Sequence, residues 1–281
     1  MSRGQGSASG GGRSRGIQSA GVGMTVLKVL IESRHPMALR EIAAATGMEP
    51  SNVHRYLASF KEAGMVCQDD RSTKYDIGPL AIELGLAALA RIDGIDAGAE
   101  VMDRLVQSVE LDGHLCVWGT AGPTVIRWRP GRVGVAVRLP EGSVLPLAGS
   151  ATGRTWLAFS NAAQARRLEK VEVGRPEVGA ETEPVAQELE AKIAEILVSG
   201  ISWSSGERRA GIDALCAPIL DRAGAMVFSI TLLSPTVGFD HRLEGALVSR
   251  LRGAVEEISR RLGCGILELG RYPWRMGSSA R

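Results

Sequence analysis

The chain lacks the cysteine pattern of a zinc or disulfide protein. Cys67, Cys116, Cys216 and Cys264 stand scattered, with no C-x-x-C and no paired histidines beside them, so buried, reduced thiols are expected. No run of about 18 continuous apolar residues exists to cross a bilayer. The Gly/Ser/Arg-rich start holds no apolar segment of the kind a secretory signal requires, so a cytoplasmic protein is expected. Catalytic signatures are missing too: there is no G-x-S-x-G elbow and no H-E-x-x-H pair, and His35, His54, His114 and His241 are isolated. The expectation is a protein that is not an enzyme and carries no cofactor. Nor is there an excess of charge, because 33 Lys and Arg against 31 Asp and Glu leave only +2.

What the chain has is length and apolar content. At 281 residues and 44% hydrophobic it can bury a substantial core, and two domains of ordinary size suit it. Its charge is mildly uneven. Residues 1–78 hold ten Lys and Arg against seven acids, so the basic excess lies at the front, where a phosphate backbone would need it.

Residues 1–16, "MSRGQGSASGGGRSRG", are low-complexity and read as a disordered tail. "VGMTVLKVLI", 22–31, reads as an apolar helix. Leu39, Ile42, Ala43 and Thr46 share one face of a second, and Gly47 ends it. A third helix places Val53, Tyr56, Leu57 and Phe60 on one face and Asn52, Arg55, Ser59 and Glu62 on the other, with Gly64 as its stop. "MVCQDDRSTKYDIG" then reads as two short strands around a turn, with Arg71 and Lys74 near the tip. Helix, helix, turn, helix and hairpin make a winged helix-turn-helix.

That arrangement explains why the third helix opens with polar residues. Such a helix enters a DNA major groove with its first turn against base edges. Arg reads guanine and Asn reads adenine, while a Ser hydroxyl takes a phosphate oxygen. The candidate DNA-binding residues are therefore Arg40, Ser51, Asn52, His54, Arg55, Ser59, Arg71 and Lys74. The competing reading is a solvated helix face in a protein-binding module.

"GPLAIELGLAALAR", 78–91, is apolar nearly all round, which predicts a linker helix that packs against a second copy of itself. Beyond about residue 95 the pattern is mixed. A helix is expected at 101–109, with strands near 114–119, 124–128, 212–220 and 226–233. Val185, Leu189, Ile193 and Ile196 predict another helix, and a closing helix carries Leu243 to Leu262. These elements predict an α+β sensor domain, its antiparallel sheet covered by helices. Trp118, Trp128, Trp156 and Trp203 are assigned to core packing there.

"LAGSATGRTW" departs from a phosphate-cradling loop, because Arg154 stands in place of Lys and Gly149 and Gly153 are too close. It still places Ser150, Ala151, Thr152 and Gly153 at the start of a helix, where free N–H groups favour an electron-rich ligand. An effector site is expected there.

The chain as a whole resembles the IclR family of bacterial transcriptional regulators over about residues 17–264. The matching stretches are "LREIAAATGMEPSNVHRYLASFKEAGMV", "KYDIGPLAIELG", "HLCVWG", "LPLAGSATGRTWLAF", "GIDALCAPILDRAGAMVFSITLLSP" and "EEISRRLG". The resemblance implies a homodimer or tetramer bound to palindromic double-stranded operator DNA. It also implies a GAF-like C-terminal domain that binds a small-molecule effector and changes operator affinity. Ser51, His54 and Arg55 stand where the family has Ser or Thr, His and Arg.

The sensor motifs depart from the family's pattern. Its P-L-H-x-T/S-A-x-G-K becomes residues 146–154 without the His, its acidic segment becomes Ser204-Ser205-Gly206-Glu207, its Cys becomes Ala214, and its Ser-x-Ser becomes Thr231-Leu232-Leu233. An effector larger or less polar than a short keto acid is expected, lined by Ser150, Ala151, Thr152, Gly153, Ser204, Ala214 and Thr231. The domains implied are a tail at 1–16, a winged helix-turn-helix at 17–78, a linker at 79–93, a sensor domain at 94–265 and a tail at 266–281. The function expected is a ligand-responsive repressor. The alternatives are a DNA-binding regulator without effector response and, last, an enzyme built on the C-terminal domain.

Overall fold

A computed structural model describes residues 17–33, 35–92, 94–135, 138–159, 186–206, 210–235 and 239–265. The tails at 1–16 and 266–281, Val185 and Glu207 lie outside the described residues. The chain divides into two compact units between Arg91 and Ile92.

In the first unit, α1 (Gln18–Glu32) turns Gly23, Val26, Leu27 and Leu30 inward. Helix α2 (Leu39–Thr46) buries Ile42 and Ala43. Its first turn is secured by Glu41, whose Oε2 accepts the Ala38 N–H at 2.6 Å. Gly47 ends it at φ 67, a left-handed conformation that glycine adopts without a Cβ clash. Helix α3 (Pro50–Glu62) opens on proline, whose missing N–H would have had no partner in the first turn.

Val26, Leu27, Leu30, Ile42, Val53, Leu57, Val66 and Tyr75 form one core, each large side chain contributing roughly 1.5–3 kcal/mol over leaving it exposed. Strands β1 (Val66–Gln68) and β2 (Tyr75–Ile77) pair antiparallel, with Gln68 opposite Tyr75. Met37 extends this hairpin by exchanging two backbone hydrogen bonds with Tyr75, at 2.8 and 2.9 Å. Helix α4 (Pro79–Ala90) follows and buries no residue.

The second unit is built on a five-stranded antiparallel sheet in the order β4-β3-β7-β6-β5. Its strands are β3 (Asp112–Gly119), β4 (Gly122–Arg129), β5 (Ser202–Ser205), β6 (Ile212–Leu220) and β7 (Met226–Pro235). Helices α5 (Ile95–Val109) and α8 (Ala246–Arg261) cover one face, while α6 (Ala151–Phe159), with α7 (Ala186–Ser199) packed against it, covers the other.

Several boundaries differ from the sequence reading. Helix α5 begins at Ile95, six residues before the expected 101, because Gly98 sits against the Phe228 ring and hides the apolar period. Leu243 precedes α8 and is 47% exposed, so the closing helix is shorter than its leucine spacing suggests. The sequence reading does not include strand β5: Ser202 and Ser204 face inward and Trp203 faces outward, the reverse of an apolar-in pattern. Trp203 is 42% exposed, which corrects its assignment to the core. Cys67 is exposed as well, since it alternates with buried Val66 along β1.

Candidate functional site

The first unit presents the polar face of α3 to solvent. Val53 and Leu57 are fully buried beneath it, which fixes the helix, while Ser51, Asn52, His54, Arg55 and Ser59 are all exposed. The Ser59 hydroxyl donates to the Arg55 carbonyl within the helix at 3.3 Å. An open groove of about 530 Å³ runs between α1 and α3, lined by Ser19, Val22, Met48, Asn52, Arg55 and Ser59. Arg40 is exposed in the first turn of α2, and Arg71 is exposed at the hairpin tip with Lys74 half-buried beside it. The sequence-predicted contacts thus lie on three exposed elements of one unit.

In the second unit, strand register assembles a row that crosses the whole sheet. Trp128 pairs with His114, His114 with Thr231, Thr231 with Cys216, and Cys216 with Ser202. Directly paired residues of antiparallel strands share a face, so these five side chains lie together on the side covered by α6. The His114 and Trp128 rings stack 5.9 Å apart at 14°. His114 is 1% exposed, so this histidine belongs to the interior and not the surface.

The next row sets Asp112 beside Leu233, Ala214 and Ser204. Thr152 descends from α6 onto the first row: its hydroxyl lies 2.7 Å from that of Thr231 and 3.4 Å from His114 Nε2. Of the residues expected at an effector site, Ala151, Thr152, Ser204, Ala214 and Thr231 are therefore brought between α6 and the sheet, all buried.

Ser150 and Gly153 are used otherwise. The Ser150 hydroxyl donates to the Pro146 carbonyl at 2.7 Å and accepts the Gly153 N–H at 2.9 Å, which caps α6. A Cβ at Gly153 would collide with the carbonyl oxygens of Pro146 and Leu147, so this position faces the preceding loop. Arg154, 1% exposed, donates to the Ala148 carbonyl at 2.9 Å and the Trp203 carbonyl at 2.7 Å. Its guanidinium ties the loop before α6 to strand β5.

Sequence reasoning did not find Asp112, a buried carboxylate that accepts the Gly131 N–H at 2.6 Å and the Val135 N–H at 2.8 Å. It anchors a loop whose Val135 and Leu139 pack on Trp128, Ala151, Ala214, Cys216 and Leu233. Burial pushes the Cys216 thiol up from its ordinary value, against the opposing hydrogen bonds of Thr155, Thr231, Ser229 and Thr152. It stays protonated at neutral pH and is no nucleophile. The described part of this face offers hydroxyls, an imidazole and apolar walls, and the Asp112 carboxylate there is engaged by two backbone N–H groups, which suits a ligand with few polar groups. Among the described residues no three His, Cys, Asp or Glu gather to hold a metal, and no helix is long and apolar enough to cross a membrane.

Comparison with known proteins gives a consistent result. The profile of "Bacterial transcriptional regulator IclR C-terminal" matches residues 86–260, and that of "IclR helix-turn-helix domain" matches residues 19–70. The HTH-type transcriptional regulator BhcR of Paracoccus denitrificans is 26% identical over 94% of this chain and 92% of its own. The crystal structure of Pseudomonas aeruginosa HmgR is 31% identical, covering 88% of this chain and 98% of that one, with a TM-score of 0.55. An IclR homologue from Microbacterium hydrocarbonoxydans, solved with 4-hydroxybenzoate, shares the fold at 18% identity and a TM-score of 0.73, over 88% of this chain and all of its own.

Proposed function

The chain belongs to the IclR family of bacterial transcriptional regulators and is a DNA-binding regulator, and we propose that it acts as an effector-released, dimeric repressor. The observation that carries the DNA half is the exposed polar face of α3 above buried Val53 and Leu57. Asn52 and Arg55 read base edges in the major groove, while Arg40, Ser51, His54, Ser59, Arg71 and Lys74 take phosphates. The apolar, unburied α4 joins two copies, so that two α3 helices meet the half-sites of a palindrome. The protein works in the cytoplasm and carries out no catalysis.

The effector binds between α6 and the sheet, among Ala151, Thr152, Ser204, Ala214 and Thr231. Ser150 shapes the start of α6, and Gly153 permits its close approach to the 146–147 loop. The Microbacterium homologue holds 4-hydroxybenzoate, and the partly aromatic lining here, whose Asp112 carboxylate is engaged by two backbone N–H groups, favours a ligand less polar than a short keto acid.

One observation favours a second reading, a DNA-binding regulator without effector response. Val135 and Leu139 already pack over the row that an effector would contact. Footprinting of the full chain on the DNA upstream of its own gene tests the DNA half, and a protected palindrome is expected. Titration of that complex with aromatic acids and short keto acids tests the sensor half. Release by an aromatic acid supports the proposal, release only by a keto acid contradicts the pocket assignment, and no release across the panel supports the second reading.

A further inference from the structure

Gln68, the last residue of β1, touches two elements at once. Its Oε1 accepts from the Lys61 ammonium in the last turn of α3 at 3.2 Å, and its Nε2 donates to the Thr73 carbonyl at the wing tip at 3.1 Å. The amide has one orientation that serves both partners, because an ammonium only donates and a carbonyl only accepts. The tip it holds is itself braced. Asp69 Oδ1 accepts from the Arg71 N–H at 3.2 Å, the Ser72 N–H at 2.6 Å and the Ser72 hydroxyl at 2.7 Å. Backbone bonds from Thr73 N to Asp69 O and from Asp69 N to Lys74 O, both 2.9 Å, close the turn. Thr73 is held at φ 58, a conformation a threonine rarely adopts without such constraint.

These bonds matter because the wing is small. Its strands have three residues each, and a lone hairpin of that length is marginal in water. The core fixes its base through Val66 and Tyr75. Nothing apolar fixes its tip, where Arg71 and Lys74 stand. An acid beside a phosphate-binding tip is electrostatically unfavourable, and the three bonds to Asp69 give it a structural reason to be there.

We infer that Gln68 is a positioning residue of the DNA interface, tying the wing tip with Arg71 and Lys74 to the end of the recognition helix. The inference rests on the reading of Arg71 and Lys74 as phosphate contacts. It separates Gln68, which touches no DNA in this scheme, from the residues that do.

The test uses the full chain and a labelled duplex selected by the wild-type protein from a randomised pool. Gln68→Met keeps the side chain's length and removes both hydrogen bonds. It is expected to weaken binding about three- to tenfold, with the thermal midpoint unchanged and faster hydrogen exchange confined to 71–74. Placed in an Arg71→Ala/Lys74→Ala background, it is expected to have no further effect. Wild-type affinity in Gln68→Met, or a loss that simply adds to the double variant's, overturns the positioning role while leaving the phosphate contacts standing. A lowered midpoint with faster exchange throughout α3 marks Gln68 as a general structural residue and overturns it as well. If Arg71→Ala/Lys74→Ala binds like wild type, the phosphate reading fails and the inference falls with it.

Discussion

The hydroxyl oxygens of Thr152 and Thr231 stand 2.7 Å apart, joining the first turn of α6 to the central strand of the sheet. Both residues are buried, at 2% and 1% exposure. A ligand that places a polar group at the start of α6 must replace this bond or add to it. In the proposed effector site, the pair is therefore where binding would be most directly converted into a shift of α6 against the sheet.

Thr231→Val keeps the shape of the side chain and leaves the Thr152 hydroxyl with the longer contact to His114 and its hydrogen bond to Cys216. A loss of about 1–3 kcal/mol in urea unfolding is expected. Thr152→Val/Thr231→Val removes both partners and is expected to recover part of it. A double variant as unstable as the summed single variants would show that the two hydroxyls are not coupled.

Arg55→Ala removes a long, exposed side chain from the polar face of α3, and no stability change is expected. Specific binding to a selected duplex should weaken by about 1–3 kcal/mol, roughly five- to 150-fold, and discrimination at one base pair should relax. Unchanged selectivity in a competition assay would remove Arg55 from the base-reading set.

Four charged side chains close a ring between α5 and α8. Glu100 accepts from Arg261 at 3.0 Å and Arg104 at 2.6 Å, and Glu257 accepts from both arginines at 2.6 Å. The Arg261 hydrogen bond first, and that of Arg104 next, hold the Glu100 carboxyl below its ordinary 4.5. A lowered carboxyl stabilises the fold above its ordinary pKa, and that stabilisation is lost as pH falls through the folded value. The thermal midpoint of the wild type should therefore drop more steeply below about pH 4.5 than that of Glu100→Gln, with a smaller difference in high salt. Parallel acid profiles would count against the ring.

Ile82, Leu84 and Leu86 are 62%, 54% and 62% exposed on α4, although the helix is almost wholly apolar. Leu84→Lys is expected to leave the circular dichroism of the chain unchanged while shifting sedimentation from dimer to monomer and abolishing operator binding at the same concentration. Dimers that persist in Leu84→Lys would place the interface elsewhere.

Periodicity made the first unit legible. Leu39, Ile42, Ala43 and Thr46 mark α2 from its first residue to its last, and Gly47 and Gly64 stop helices where the chain turns left-handed. Strand β6 could be read to its ends because, apart from Asp213, its residues are apolar. The sensor face was legible only in part. Thr152 and Thr231 were named separately, yet the row from Trp128 to Ser202 depends on the register of five strands, and long-range pairing leaves no local signal. Asp112 was missed for the same reason: its partners, Gly131 and Val135, follow it by about twenty residues. Serines facing inward on β5 look like a loop until Cys216 and Ala214 are seen opposite them.

The bareness of α4 reaches beyond assembly. With Leu84 and Leu86 open to water, the dimer proposed above would form by mass action. Below the dissociation constant of the pair, the active species grows as the square of the amount synthesised. For the proposed dimeric repressor, a modest rise in its own expression would then silence its targets sharply, giving the cell a threshold that needs no effector.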